Sequence, residues 1–343
     1  MGGGIRRRSR LMRLYWAEHL EHSKDVQVRW HQAIDAARSL LILGAGRLLD
    51  VVLPDGPGQW RVTLVDADRS CLAQWSTLST PQLAVTPLCL DLTGVLLRWQ
   101  QQLTKTLPES WEDALQQIRR IPQAGGRALP PSTFLAAGTH DAVLSVNLLS
   151  QIPLTWQDTA ERYLHRYFPR PFIEAHEAEW LSAAAVGGRM LVEQHLRDLQ
   201  ASKTANLLLI TDLEYAHYRV PFHYRPTGYR TAPLQWDATV DTAGSGGWRE
   251  ADGTSELTCE VIESLCGVGA DVRTLSSYFP DYQLRETKEW LWHIQPQGIE
   301  RRDQGTLHRV AAMSFQLIAA QVEPFPTPRQ HAYDKNFSKR SVG

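Results

Sequence analysis

The sequence predicts an α/β fold in which a mostly parallel sheet is covered on both faces by helices. Three observations lead to it. Four short apolar runs, Ser39 to Leu43, Arg61 to Asp66, Ala84 to Asp91 and Asp141 to Asn147, have the length and content of buried strands. The segments between them are long enough for crossover connections. Each run leads into small or polar residues, Gly44, Asp66, Asp91 and Asn147, as strands do where they leave a sheet.

Taken in order, apolar positions Leu11, Leu14, Tyr15, Ala17 and Leu20, then Val26, Val28, Trp30 and Ile34, suit helices leading to about Ser39. Ser39-Leu-Leu-Ile-Leu-Gly-Ala-Gly46 reads as a strand and tight turn, and Leu48, Leu49, Val51 and Val52 could begin a helix. The second, third and fourth strands follow, the last preceded by a Pro- and Gly-bearing connection around 121–139. Trp180 to Leu199 repeats apolar residues at three- and four-residue spacing. One long helix is expected there despite Gly187 and Gly188, which weaken it by about 1 kcal/mol each. Asn206 to Asp212 is then the fifth strand. Residues from about Val220 to Gly253 lack a period and read as part of an insertion. Glu289 to Ile294 and His308 to Leu317 look like a closing antiparallel pair. The expected organisation is a helical region at 1–37, a main domain at 38–321 with an insertion at about 216–285, and a mobile Pro-bearing tail at 322–343.

With 343 residues and 43% hydrophobic composition, the chain can bury one large core. The formal net charge of -1 gives no overall attraction to polyanions, so a nucleic-acid partner is not expected; Arg6, Arg7, Arg8 and Arg10 read as a solvated tail. Cys71, Cys89, Cys259 and Cys266 form no CxxC pair and are expected as free thiols in a reducing compartment. No apolar run is long enough to span a bilayer, and the N-terminus lacks a signal-peptide stretch, so a cytoplasmic protein is expected.

In an open parallel sheet, ligands bind at the carboxyl ends of strands near the switch in strand order. Gly44 and Gly46 let a ligand approach the backbone, and a helix after them could favour an anionic group. Asp66 follows Gly46 by a spacing that suits two hydrogen bonds to ribose hydroxyls. Asp91 could accept from an adenine amino group.

At these residues the sequence resembles the class I S-adenosylmethionine-dependent methyltransferases. Leu41-Ile-Leu-Gly-Ala-Gly46 matches their first motif, Val65-Asp66 the second-strand acid, Leu90-Asp91 the third-strand acid, and Asp141 to Gln151 the fourth-strand motif. The resemblance covers about 38–215 and 285–320. It implies a Rossmann-like sheet of seven strands with the last antiparallel, S-adenosylmethionine as cofactor, and methyl transfer as the activity. The cofactor-binding residues it points to are Gly44, Ala45, Gly46, Asp66, Ala67, Asp91, Leu92 and Asn147. Leu48 stands where the family commonly has a third glycine, and Leu41 where an acid is frequent. The fourth-strand end, Asn147-Leu-Leu-Ser-Gln151, lacks the Asn-Pro-Pro-aromatic signature of enzymes that methylate exocyclic or amide nitrogens.

Methyl transfer needs the acceptor lone pair in line with the methyl group, which is largely a matter of positioning. No catalytic residue is singled out on this basis. Candidates to hold a small-molecule or peptide acceptor are Ser150 and Gln151 after the fourth strand, Tyr215, His217 and Tyr218 after the fifth, and Tyr15 and His19 on the N-terminal helices. The insertion, with Phe222, His223, Tyr224 and Tyr229, is expected to cover the pocket. His19 and His22 share a helix face, but no third ligand accompanies them and no metal is expected. Three other readings stay open: a nicotinamide-dependent oxidoreductase, disfavoured by Leu49 where a small residue is wanted; a non-catalytic relative that serves as a binding partner; and aminocarboxypropyl transfer from the same cofactor. A homodimer or a protein partner is compatible with any of them.

Overall fold

The computed structural model describes residues 8–34, 37–55, 58–93, 107–124, 135, 138–219, 234–236, 248–250, 258–264 and 272–318. The expected tail at 322–343, Arg6 and Arg7, most of the 121–139 connection, and Phe222, His223, Tyr224 and Tyr229 lie outside the described residues.

The sheet is built from strands β1 (Ser39–Leu43), β2 (Trp60–Asp66), β3 (Leu83–Cys89), β4 (Ala142–Val146), β5 (Asn206–Arg219), β9 (Tyr282–Gln295) and β10 (Gly305–Leu317). Their spatial order is β3-β2-β1-β4-β5-β10-β9. Strands β1 to β5 pair in parallel, and β10 is antiparallel to both β5 and β9. The chain runs outward from β1 to β3 and then returns to place β4 on the other side of β1. The switch point between β1 and β4, where a crevice opens at the strand ends, is therefore fixed by topology. Three short strands, β6 (Leu234–Trp236), β7 (Trp248–Glu250) and β8 (Thr258–Ser264), lie in the insertion, and β8 pairs with the outer half of β5.

The strands are buried on both faces because alternate residues serve different helix layers. Leu41, Leu43, Val143, Leu207 and Leu209 pack on α4 (Leu148–Tyr167) and α6 (Glu177–Ala201) through Trp156, Trp180 and Leu196. Leu40, Ile42, Leu208 and Ile210 face the other way, toward Val26 and Trp30 of α1 (Arg13–Ala33) and Trp75 of α2 (Leu72–Trp75). Helix α3 (Trp111–Ala124) fills the connection from β3 to β4, and the short helices α5 (Arg170–Ala175) and α7 (Val272–Ser276) occupy turns.

Helix α6 runs unbroken through Gly187 and Gly188. A Cβ on Gly188 would stand 2.8 Å from Pro153 Cβ and 3.1 Å from Pro153 Cα, so glycine permits the close contact between α4 and α6. Among the described helices, none is long and apolar enough to cross a membrane.

Three expectations are corrected. The N-terminal segment is helical as expected, with residues 8–11 helical, a turn at Met12 and then α1, but the buried stripe of α1 is Trp16, His19, Ser23, Val26, Gln27 and Trp30, while Leu11, Leu14 and Val28 are exposed. The stripe is partly polar, which apolar spacing alone does not reveal. No helix follows β1: residues 44–55 are turns and extended chain, and Leu48 adopts a positive φ of 55°. The Pro54 that follows, with no N–H to donate, opposes helix continuation there. Strand β5 continues to Arg219, so residues 216–219 belong to the sheet and not to an insertion; their hydrogen bonds go to β8 and β10. At the other boundary, Tyr282 already begins β9, so the insertion ends before 285.

Candidate functional site

At the end of β1 the backbone turns sharply. Gly44 has φ 78°, and a Cβ there would lie 2.5 Å from the Val146 carbonyl oxygen, so the turn passes directly over the end of β4. The Gly44 and Ala45 N–H groups both donate to Val65 O, at 2.9 and 3.1 Å. Gly46, φ 47°, donates its N–H to Asp66 Oδ2 at 3.0 Å, and the Asp68 N–H donates to Asp66 Oδ1 at 2.8 Å. Each carboxylate oxygen keeps accepting capacity. Burial pushes the Asp66 pKa up, opposed by these backbone donors. A Cβ on Gly46 would meet nothing nearer than 3.9 Å, and Asp66 Oδ2 is among the atoms at that distance. A side chain at 46 would therefore start in van der Waals contact with the carboxylate, and the positive φ favours glycine there.

Trp75 Nε1 donates to Gly46 O at 3.0 Å, which fixes the turn from below. The Leu90 N–H donates to Asp66 O at 2.9 Å and ties the exit of β3 to that of β2. Asp91 follows directly and accepts from the Thr93 N–H and hydroxyl at 3.0 and 2.7 Å. Ala45 is buried, Ala67 is exposed, and Leu92 packs against the α4–α6 core. With no helix after Gly46, no helix N-terminus is available for an anionic group. The loop carries a cation of its own in Arg47, whose Nη2 donates to Ser70 Oγ at 2.7 Å and whose buried Nε has no partner.

Across the switch point, Asn147 has φ 53° and ψ 17°, a left-handed conformation that asparagine tolerates better than most residues. Its Nδ2 donates to Asp50 Oδ2 at 2.7 Å, and its buried Oδ1 has no partner. Burial raises the Asp50 pKa to about 6, with the Asp212 charge adding to the rise. The loop is held from above by α1: Ser23 Oγ and Gln27 Nε2 donate to Asp50 O at 2.9 and 2.6 Å, and Gln27 Oε1 accepts from the Val52 N–H at 2.8 Å.

Beside this loop, Ser150 Oγ donates to Asp212 Oδ2 at 2.9 Å, and His308 Nδ1 stands 3.4 Å from the same oxygen. His19 of α1 stacks on Trp292 with ring centroids 4.0 Å apart and accepts a hydrogen bond on Nδ1 from Trp290 Nε1 at 3.0 Å. Burial lowers the His19 pKa to about 3, so the ring is neutral and carries its proton on Nε2.

Ser150 and His19 are thus drawn together with residues that strand patterning did not single out: Asp50, Asp212, His308 and Trp292. Of the other acceptor candidates, Tyr215 borders this group beside His308, and the rest lie elsewhere. Gln151 is exposed on α4. Tyr218 is hydrogen-bonded to His293 and accepts from the Gln297 N–H at 3.2 Å, and Tyr15 meets the same His293 ring edge-on at 5.3 Å. These two tyrosines join the outer end of β5 to α1. His217 is hydrogen-bonded to Thr306 Oγ1 at 2.9 Å, and Tyr215 lies between His217 and His308. No group of three metal-ligating side chains occurs among the described residues, and His22 faces Glu18 across one helical turn at 3.8 Å.

The strand order, with β10 the single reversed strand of the seven, decides the architecture. It is the Rossmann-like methyltransferase fold. No protein-family model matches the sequence, and no curated protein does. Solved structures similar to the chain include an S-adenosylmethionine-dependent methyltransferase from Anabaena variabilis, 12% identical with TM-score 0.32 over 88% of this chain and 92% of that one. A second is an amino pentose methyltransferase of calicheamicin biosynthesis from Micromonospora echinaspora, solved with S-adenosylmethionine bound, 12% identical with TM-score 0.28 over 84% and 90%. A third is described as an S-adenosylmethionine-dependent methyltransferase from Listeria monocytogenes, 10% identical with TM-score 0.28 over 84% and 98%. These likenesses are too distant to bear on the site, which rests on its own geometry.

Proposed function

We propose that the chain is an S-adenosylmethionine-dependent methyltransferase acting on a small-molecule or peptide acceptor. One observation carries the reading: the Asp66 carboxylate, held by the Gly46 and Asp68 N–H groups with accepting capacity left over, at the carboxyl ends of β1 and β2 next to the switch point. The residues present suit this cofactor. Asp66 has accepting capacity for two ribose hydroxyls, and Asp91 stands at the next strand end for the adenine. The unpartnered Asn147 Oδ1 and the Asp50 carboxylate suit the amino group of the methionine part, and Arg47 replaces the missing helix terminus for its carboxylate.

When bound, S-adenosylmethionine supplies a methyl group made electrophilic by its positive sulfur. The chain's own residues then have three tasks: to hold the donor, to exclude water, and to present the acceptor lone pair in line. Helix α1, latched to the loop by Ser23 and Gln27, closes one side of this region.

The test is transfer of label from methyl-labelled S-adenosylmethionine to size-fractionated extract. Label entering a low-mass or peptide fraction in a protein-dependent manner supports the proposal. If S-adenosylhomocysteine binds but no fraction accepts label, the non-catalytic reading takes its place.

A further inference from the structure

Buried polar atoms without partners are costly, roughly 1 to 3 kcal/mol each, and in native proteins they call for an explanation. Three converge beside the switch point, Asn147 Oδ1, His19 Nε2 and Asp212 Oδ1, while His308 Nδ1 has Asp212 Oδ2 at 3.4 Å as its partner. Asp212 and His19 are each only 1% exposed. The strand register shows how they come together. Between β5 and β10 the pairing shifts at Arg309/Val310, so that Val310 faces Asp212 while Arg309 faces Glu214. One β5 residue is thereby passed over, as in a bulge, and such irregularities commonly re-aim side chains beside active sites.

As a result Asp212, Tyr215 and His308 share the sheet face that α1 covers, together with Trp290 and Trp292 of β9. Glu214 and Arg309 turn to the opposite face, where Arg309 pairs with Glu214 at 3.0 Å and Glu289 at 2.8 Å. The available arginine is spent there, so Asp212 is left with Ser150 and His308 as partners. Burial pushes the Asp212 pKa up, but the His308 contact and the Ser150 hydrogen bond outweigh it and hold the carboxyl below its ordinary value.

We propose that Asp212 and His308, walled by His19, Tyr215 and Trp292, form the acceptor subsite and remove a proton from the acceptor, which is therefore a hydroxyl or amine that loses hydrogen on methylation. The inference rests on the cofactor reading above. Asp212 orients His308 with its Nδ1–H toward the carboxylate, which leaves Nε2 to accept the proton. As the acceptor heteroatom forms its bond to the methyl carbon, the carbon–sulfur bond breaks and its electron pair returns to sulfur. The acceptor's proton passes to His308, and Asp212 stabilises the resulting imidazolium. The neutral His19, with Nε2–H as a donor, holds an acceptor lone pair on the substrate.

Sinefungin tests this without knowledge of the acceptor. It is the adenosyl amino acid in which an amine-bearing carbon replaces the sulfonium and its methyl, so its ammonium projects to where the methyl would be delivered. If Asp212 faces that point, calorimetry on the full chain will give sinefungin an affinity about tenfold to a hundredfold above that of S-adenosylhomocysteine. In Asp212→Asn the preference will collapse toward parity while S-adenosylhomocysteine affinity persists. Parity in the wild type, or a preference untouched by Asp212→Asn, overturns the proposal. Failure of S-adenosylhomocysteine to bind the wild type overturns the cofactor reading itself, and that result is seen with this ligand alone. Should Asp212→Asn not fold by circular dichroism, 15N-histidine spectra of the wild type decide: the His308 ring signals, assigned with His308→Gln, shift on exchanging S-adenosylhomocysteine for sinefungin. Unmoved signals refute the subsite.

Discussion

Asp66 does two things with one carboxylate. Its oxygens each accept one backbone N–H, from Gly46 and Asp68, and each keeps capacity to accept from a ligand. Replacement Asp66→Ala removes two charge-assisted bonds to a bound ribose, each worth roughly 1.5 to 3 kcal/mol before water competes. S-adenosylhomocysteine affinity should therefore fall by several-fold to a hundredfold in a chain that keeps its circular dichroism spectrum; unchanged affinity would remove Asp66 from the site. Gly44, Gly46 and Asp66 were legible as strand exits because an apolar run that breaks into glycines marks a tight turn and Asp66 closes the next run of the same length. Asp212 and His308 were not. An acid that closes an apolar run reads as an ordinary strand exit, and its pairing with a histidine on the last strand depends on a register shift that no local pattern encodes. Asn147 was legible as a strand end, but its left-handed backbone and its bond to Asp50 were not.

At the scale of elements, the polar stripe of α1 takes over part of what a helix after β1 would do. Gln27 is fully buried and bridges the loop with two hydrogen bonds, to Asp50 O and from the Val52 N–H. Truncation in Gln27→Ala leaves the Val52 N–H unpaired and takes from Asp50 O one of its two donors, at a cost of about 1 to 3 kcal/mol. Thermal unfolding should show that loss, and S-adenosylhomocysteine should bind more weakly because Asp50 and Asn147 lose their support. A Gln27→Ala chain with wild-type affinity would mean that the latch is purely structural. Apolar residues at 48, 49, 51 and 52 fit helical spacing, yet no helix forms after β1 because Leu48 at φ 55° and the prolines beyond it do not permit one. The long α6 was read correctly, and its glycines are explained by contact. With Pro153 Cβ 2.8 Å from where a Cβ would stand, Gly188→Ala should destabilise by roughly 1 to 3 kcal/mol, although alanine is the better helix former. A denaturant midpoint equal to or above wild type would contradict the close α4–α6 packing.

Across the whole molecule, the strand exits, the crossover logic and the closing antiparallel pair were readable from strand-length apolar runs, whereas the extension of β5 to Arg219 and its pairing with β8 were hidden by the polar and aromatic residues that follow Asp212. Burial of neutral histidines also gives the fold a pH signature. Burial lowers His19 to about 3 and His31, His195 and His293 to about 4, from an ordinary 6.5. Below pH 6.5 the unfolded chain binds protons at these sites and the folded chain does not, so stability falls as pH drops from 6.5 toward 4. Asp50, raised to about 6, acts in the opposite direction with one proton against four. At about 1.4 kcal/mol per pKa unit, the net loss by pH 4 is on the order of several kcal/mol. Chemical unfolding at stepped pH should show stability declining through this window, and a flat profile would place these rings in water. The central claim, that the β1–β2–β3 strand ends hold an adenosyl cofactor, is tested most directly by calorimetry of the full chain with S-adenosylmethionine, S-adenosylhomocysteine and NAD. The account predicts saturable one-to-one binding of both adenosyl ligands and none of NAD; binding of NAD with no heat from either adenosyl ligand would contradict it.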